Sequence, residues 1–144
     1  MPDLDVNEMA KVSRLFEALD TAGRRRLLDL AGKRHAGEGE VICREGDKGG
    51  EFFVISKGEV RVSCDSLDGE KEVARLTHGA FFGEMAALNG DHRSATCTAV
   101  SPTELIVFPY AAAELVLSEY PGAREVLVKA SVLRSERMLD KMME

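Results

Sequence analysis

Residues 81–96 read FFGEMAALNGDHRSAT and join two strand-like segments of the chain. An aromatic pair ends at Gly83, an acid and a short apolar turn follow, and Arg93 then opens a new apolar segment. Gly83 lets a ligand approach the backbone because no Cβ lies in the way, and the amides that follow open a short helix whose N-terminus favours an anion. The stretch therefore predicts an anion site built between two strands.

Two charged residues in this stretch suggest the kind of anion. Glu84 can accept hydrogen bonds from a sugar hydroxyl, and Arg93 presents a planar fork that matches two phosphate oxygens. Ser94 adds a hydroxyl and a backbone amide. Together they describe a nucleotide with one compact negative charge, as in a 3′,5′-cyclic monophosphate. From spacing alone, a structural ion pair between Glu84 and Arg93 explains the two residues equally well.

The segments around this stretch have the pattern of an antiparallel β fold. Glycines separate short apolar or alternating runs, which predicts seven or eight strands between residues 35 and 108. The runs lie at 41–43, 52–55, 60–64, 73–76, 96–100 and 105–108. Asp68 and Gly69 predict a hairpin turn, and tighter corners are expected at Gly46 and Gly58. This spacing of turns favours a roll or barrel.

Helical periodicity precedes the β region. Apolar residues at spacings of three and four predict a helix over residues 7–20. A second helix is expected over residues 21–31, with Thr21 as its cap and Gly32 at its end.

Helical periodicity returns after the β region. A helix is predicted over residues 110–119, and another begins at Pro121 and runs towards the end of the chain. In the last helix, residues at spacings of four and three form a narrow seam. These residues are Val128, Val132, Ser135, Leu139 and Met142. The pattern fits either packing on the protein's own β-roll or a seam between two chains.

Composition excludes several classes of protein. The chain of 144 residues is 44% apolar and 31% charged, which is typical of one folded globular domain. A net charge of −6 argues against a phosphate-backbone binder, because the only basic run is at 24–26. Cys43, Cys64 and Cys97 fit neither a disulfide framework nor a metal clamp, so reduced thiols are expected. With no leader or membrane span in the sequence, we expect a cytoplasmic location and no membrane partner.

Residues 82–95 resemble the phosphate-binding cassette of the cyclic nucleotide-binding domains. This family includes bacterial catabolite activator proteins, protein kinase A regulatory subunits and cyclic-nucleotide-gated channels. Phe-Gly-Glu stands at 82–84 and Arg-Ser-Ala at 93–95. Residues 39–47 and 53–60 are similar to the family's two β-roll signatures, so the resemblance covers nearly the whole chain.

The resemblance implies an α+β fold that is mainly β and forms one domain over residues 1–144. Its centre would be an antiparallel, jelly-roll-like, eight-stranded β-roll over about 34–109. N-terminal helices over about 7–31 and C-terminal helices over about 110–142 would flank the roll, and the last helix would act as a lid. The implied activity is regulatory binding of cAMP, or of cGMP, with no cofactor.

The resemblance also assigns ligand-binding residues. They are Phe82, Gly83, Glu84, Met85, Ala86, Arg93, Ser94, Ala95 and Arg134. Glu84 would bind the ribose 2′-hydroxyl and Arg93 the exocyclic phosphate oxygens. Two positions depart from the family pattern, because Ala87 stands where Leu is frequent and His92 where Pro is frequent. His92 is either a pH-sensitive neighbour of the phosphate or an exposed loop residue.

In the family, the last helix covers the base, and here that segment is 133–142. Arg134 is expected to approach Glu84, and Arg137 is a candidate for stacking on a purine. Met138 and Leu139 fall where catabolite activators supply hydroxyls, and they offer only apolar contact.

Other functions are less well supported by the residues. A cupin-type enzyme needs clustered metal ligands, and the three histidines form no HxH or HxxxH pair. A sensor of the same fold for another effector, or a scaffold without a nucleotide, is a second alternative. The sequence ends at Glu144, before a DNA-binding helix-turn-helix of the catabolite-activator kind would fit. We therefore expect no direct nucleic-acid contact, and an output through a homodimer or a downstream effector.

Overall fold

The structure, a computed structural model, describes residues 13–89 and 92–142, and within them it contains eight strands and five helices. The strands are β1 (Gly32–Ala36), β2 (Val41–Cys43), β3 (Glu51–Lys57), β4 (Val60–Ser66), β5 (Gly69–Leu76), β6 (Phe81–Phe82), β7 (Thr96–Ala99) and β8 (Thr103–Pro109). The helices are α1 (Arg14–Glu17), α2 (Thr21–Asp29), α3 (Glu84–Asn89), α4 (Tyr110–Leu117) and α5 (Pro121–Met142). The predicted mainly β, eight-stranded antiparallel class is confirmed.

The strands form two four-stranded sheets. One has the order β1-β8-β3-β6 and the other β2-β7-β4-β5, and every pairing between neighbours is antiparallel. An apolar core fills the space between the sheets and includes Phe53, Phe82 and Cys97. A second core lies between the first sheet and the helices and includes Phe52, Phe108 and Leu127.

Strand β3 explains why the sequence has an unbroken apolar run at 52–55. Successive side chains of a strand point to opposite faces, so Phe52 and Val54 enter the helical core, while Phe53 and Ile55 enter the core between the sheets. All four side chains are buried. A sheet covered on both faces needs apolar residues at consecutive positions, and the run is therefore typical of a central strand.

Helix ends differ from the predicted positions. The helix expected over 7–20 lies partly outside the described residues, and its described part is helical only over Arg14–Glu17. The prediction that Thr21 caps α2 was wrong. Asp20 is the cap, because its Oδ1 accepts a hydrogen bond from the Gly23 amide at 2.7 Å. The helix then ends at Asp29 rather than at Gly32, which already belongs to β1.

The predicted turns agree more closely with the structure. Gly46 and Gly58 have φ angles of 91° and 105°, as the corner positions require. The hairpin at the end of β4 is confirmed with its turn one residue earlier than expected. Leu67 and Asp68 form the turn, and Gly69, with φ of 103°, opens β5.

Three residues of the apolar seam of α5 are exposed rather than packed on the β-roll. Val128, Val132 and Leu139 are 43%, 53% and 64% exposed, while the neighbouring Leu127 is fully buried. The side chain of Met142 lies outside the described part. No helix in residues 13–89 and 92–142 combines the length and apolar character that crossing a bilayer requires.

Candidate functional site

A pocket opens between the second sheet, α3 and α5. It is lined by Cys43, Val62, Val73, Ala74, Leu76, Phe82, Gly83, Glu84, Met85, Ala86, Arg93, Ser94, Ala95, Cys97, Arg134, Arg137 and Met138. Its empty space is about 740 Å³, part of which is open to solvent. All nine residues expected to bind a ligand are among the lining residues, so the fold brings the two halves of the 81–96 stretch and the last helix together.

Arg93 is held in place by backbone carbonyls. Its Nη1 donates hydrogen bonds to the carbonyl oxygens of Glu51 at 2.9 Å and Gly83 at 3.0 Å. The guanidinium carbon lies 5.6 Å from the centre of the Phe53 ring, within cation–π range. The side chain is buried, and Arg93 as a whole is only 7% exposed. The backbone is also fixed, because the Arg93 amide donates to the Asp47 carbonyl at 2.6 Å.

Two glycines leave room for this guanidinium. Gly83 has a φ of 87°, and a Cβ added to it would lie 2.7 Å from Nη1 of Arg93. A Cβ on Gly49 would overlap Nε and Cζ of the same side chain, whereas a Cβ on Gly50 would meet no atom within 4 Å. Gly83 was expected to make room for a ligand rather than for Arg93, and Gly49 was not predicted, because no local signal marks a glycine that accommodates a distant side chain.

Glu84 also lines the pocket and is 1% exposed. Its Oε1 accepts a hydrogen bond from Nη1 of Arg134, so the expected approach of α5 to this carboxylate is observed. Nη2 of Arg134 donates to the Phe81 carbonyl at 2.6 Å, and the guanidinium lies 4.9 Å from the Phe81 ring centre. Arg134 thus joins α5 to the start of the cassette.

The charged side chains that line the pocket sum to a positive charge. Glu84 is paired with Arg134 and not with Arg93, so the structural ion pair considered from the sequence is not present. Among residues 13–89 and 92–142, no carboxylate lies within 4.0 Å of the Arg93 or Arg137 guanidinium. Burying a charge without a counter-charge is costly, so this arrangement favours an anionic ligand.

Only some of the remaining predicted residues line the pocket. Arg137 and Met138 line the pocket, as expected, but Leu139 is 64% exposed and is not among the lining residues. A residue directly after Met138 on a helix points about 100° away from it. His92 is exposed, forms an isolated β-bridge with Lys48 and is not among the lining residues. The side chain of Ala87 is outside the described part.

Sequence reasoning missed one wall of the pocket. Val62 of β4 and Val73, Ala74 and Leu76 of β5 form an apolar surface opposite the cassette. Cys43 and Cys97 complete it. The alternating pattern marked these segments as strands, but it did not indicate which face would bear on a ligand.

Metal ligands do not cluster in the part of the chain that the structure describes. No group of three His, Cys, Asp or Glu side chains there is arranged to hold an ion.

Comparisons with known proteins agree on one family. A family profile described as a cyclic nucleotide-binding domain matches residues 33–120. The chain is 38% identical over 90 residues to the cAMP-dependent protein kinase regulatory subunit of Mycosarcoma maydis, covering 62% of this chain and 17% of that protein. It is 33% identical over 111 residues to a cyclic nucleotide-gated channel of Caenorhabditis elegans, covering 72% of this chain and 15% of that protein. The chain thus spans about one sixth of the length of these curated relatives.

A solved structure extends the similarity to the fold. The crystal structure of the Thermus thermophilus catabolite activator protein superimposes with a TM-score of 0.77 at 29% sequence identity. The alignment covers 89% of this chain and 60% of that one.

Replacing Gly49 by Ala tests the packing around Arg93. The added methyl group would displace the guanidinium from its two carbonyl acceptors, so Gly49→Ala is expected to lower the free energy of unfolding by about 1–3 kcal/mol. Gly50→Ala is the matched control and should change it by less than about 0.5 kcal/mol. Urea unfolding of both variants measures the difference. Equal stabilities would contradict the described position of Arg93.

Proposed function

The chain belongs to the cyclic nucleotide-binding domain family, and from this premise we propose that it binds a cyclic nucleotide, preferentially cAMP, as a regulatory sensor. The earlier resemblance to the family is confirmed. The family consists of regulatory binding domains rather than enzymes, and the matched relatives are regulators and a channel. The sensor interpretation therefore stands over the enzyme alternative.

The proposal rests on the burial and the hydrogen bonding of the Arg93 guanidinium. Its guanidinium is buried against the pocket, and its Nη1 is used by two backbone carbonyls. Within the described residues, Nε and Nη2 make no hydrogen bond to the protein. A singly charged cyclic phosphate would supply the missing counter-charge and accept from this free edge of the guanidinium.

Glu84 would hold the sugar. Its carboxylate lies in the same pocket as Arg93, and it is buried, where a hydrogen bond to a charged group is strong. A ribose 2′-hydroxyl can donate to this carboxylate while the cyclic phosphate reaches Arg93. The ligand would then share Glu84 with Arg134 or displace it.

The pocket can accommodate the remaining part of a nucleotide. Part of its space of about 740 Å³ is open to solvent, so a base need not be fully enclosed. Arg137 and Met138 line the side formed by α5 and would contact the base by stacking and apolar packing. We prefer cAMP over cGMP because of the similarity to the kinase regulatory subunit, whose name records cAMP dependence. Ser94 is compatible with both nucleotides.

Calorimetric titration tests the proposed ligand directly. We expect saturable heat with cAMP, weaker binding of cGMP, and no binding of 5′-AMP, whose doubly charged open phosphate does not match a single guanidinium. No heat with either cyclic nucleotide would favour the alternative of a same-fold sensor for another effector, or a scaffold.

Arg93→Ala should weaken cAMP binding about ten- to a hundredfold, because a hydrogen bond to a charged group is worth about 1.5–3 kcal/mol. Arg93→Lys should recover only part of the loss, since an ammonium lacks the planar fork. Arg124→Ala on α5 is the control, because Arg124 pairs with Glu114 and does not line the pocket. Unchanged affinity in Arg93→Ala would place the phosphate elsewhere.

The role of Glu84 can be isolated with 2′-deoxy-cAMP. If Glu84 accepts from the 2′-hydroxyl, the wild-type chain should bind the deoxy analogue more weakly than cAMP, and Glu84→Gln should discriminate much less between the two. The coupling energy from this cycle is expected to be about 0.5–3 kcal/mol. A full loss for the deoxy analogue in Glu84→Gln would show that another residue recognises the hydroxyl.

We also propose that binding is transmitted through α5. Arg134 ties this helix to Glu84 and Phe81, so a ligand that engages Glu84 changes the contact that holds the helix. Hydrogen exchange over residues 133–142 should therefore differ with and without saturating cAMP. Equal protection in both states would contradict the coupling.

The exposed seam of α5 provides a candidate output surface. Val128, Val132 and Leu139 remain exposed on one helix, which is suited to a second copy of the chain or to a downstream effector. Sedimentation of the purified chain at increasing concentration distinguishes the two partners.

The cytoplasmic location stays a prediction.

A further inference from the structure

Cys43 and Cys97 face each other across two strands of the second sheet. In the β2–β7 ladder, Val41 pairs with Thr98 and Cys43 pairs with Cys97, so β2 carries one extra residue at this point. This bulge brings Cys43, rather than Ile42, opposite Cys97. Without it, the two cysteines would be offset by one residue, and their side chains would lie on opposite faces of the sheet.

The opposition is compatible with the reach of a disulfide. Directly paired residues of antiparallel strands have Cα atoms about 4.5–5.5 Å apart, and disulfides span about 4.4–6.8 Å. The side chains of such a pair lie on the same face. Here both line the ligand pocket, and both are free thiols.

The surroundings shift the pKa values of the two thiols in opposite directions. The polar interaction with the Cys97 side chain lowers the pKa of Cys43, and the nearby Arg93 adds to this effect against the cost of burial. The same interaction and burial raise the pKa of Cys97. Since the thiolate is the nucleophile, Cys43 is suited to attack an oxidant first. Burial raises the pKa of the third thiol, Cys64, to about 11, and Cys64 does not line the pocket.

We propose that Cys43 and Cys97 form an oxidation site inside the ligand pocket, which hydrogen peroxide converts to an intrachain disulfide and which a bound nucleotide shields. The Cys43 thiolate attacks one peroxide oxygen, the O–O bond breaks, and a sulfenic acid forms with release of water after protonation. The Cys97 sulfur then displaces the hydroxyl group as a second water and forms the S–S bond. Two thiols are oxidised by two electrons, and one peroxide is reduced to two waters.

Shielding by nucleotide rests on the proposed function, whereas disulfide formation does not. The wall that contains Cys43 and Cys97 faces the same space as Glu84 and Arg93. A ligand that fills this space excludes a small oxidant from both sulfur atoms. Oxidation would in turn affect nucleotide binding. A disulfide would fix β2 against β7, and β7 directly follows the predicted ligand residues Arg93, Ser94 and Ala95.

Peptide mapping of the full chain tests the disulfide. Trypsin places the three cysteines on separate peptides, 35–44, 62–71 and 94–124. After the reduced protein is treated with hydrogen peroxide and its remaining thiols are alkylated, we expect 35–44 linked to 94–124, with 62–71 alkylated. Oxidised but unlinked Cys43 and Cys97, or a link that includes Cys64, would overturn the proposal. Cys64→Ala should still form the link, and Cys97→Ala, which lacks the second sulfur, should form no link between 35–44 and 94–124.

A parallel reaction with saturating cAMP tests the shielding. We expect the link to form several-fold more slowly than without nucleotide, and 5′-AMP to have no such effect. An equal rate, in a preparation that calorimetry shows to be saturated, would overturn shielding while the binding function stands. If calorimetry finds no binding, the proposed function and the shielding fail together, and the nucleotide-free map still decides whether the disulfide forms.

Discussion

The position of the Arg93 guanidinium depends on two backbone carbonyls and one aromatic face, and the geometry of the pocket follows from it. An acidic partner would have neutralised the charge and closed the site. Carbonyls of Glu51 and Gly83 instead orient the group while leaving its charge uncompensated. Each carbonyl belongs to a segment of the first sheet or its edge, so the rigid part of the molecule holds the cation, and the mobile ligand would complete the balance.

Glu84 differs from Arg93 because its charge has a partner of opposite sign. It is nearly inaccessible, yet its partner Arg134 comes from the last helix rather than from the β-roll. Removing the cationic partner of a buried carboxylate is unfavourable unless other donors replace it. A sugar hydroxyl is such a donor. If the hydroxyl replaced the Arg134 guanidinium as donor to Glu84, occupation of the pocket would release the contact that holds α5.

Strand and pocket residues were largely predictable from the sequence, because period-two runs and the 81–96 stretch are local signals. Helix ends were not, since Asp20 and Thr21 are both good caps and only the three-dimensional path selects Asp20. Gly49, Val73 and the opposition of Cys43 to Cys97 were also beyond sequence reasoning. Each depends on a contact between segments far apart in the chain, and the last depends on a single bulge. The outward direction of Leu139 required the rotation of α5 about its axis.

Strand β6 is only two residues long, and its two aromatic rings belong to different interiors. Phe81 is part of the core beneath the helices, and Phe82 is part of the core between the sheets. Gly83 follows immediately, and the Arg134 side chain of α5 donates a hydrogen bond to the Phe81 carbonyl. A displacement at the pocket would therefore disturb the packing of both interiors at once, and substitutions deep in either one, remote from the ligand, would then alter the free energy of nucleotide binding.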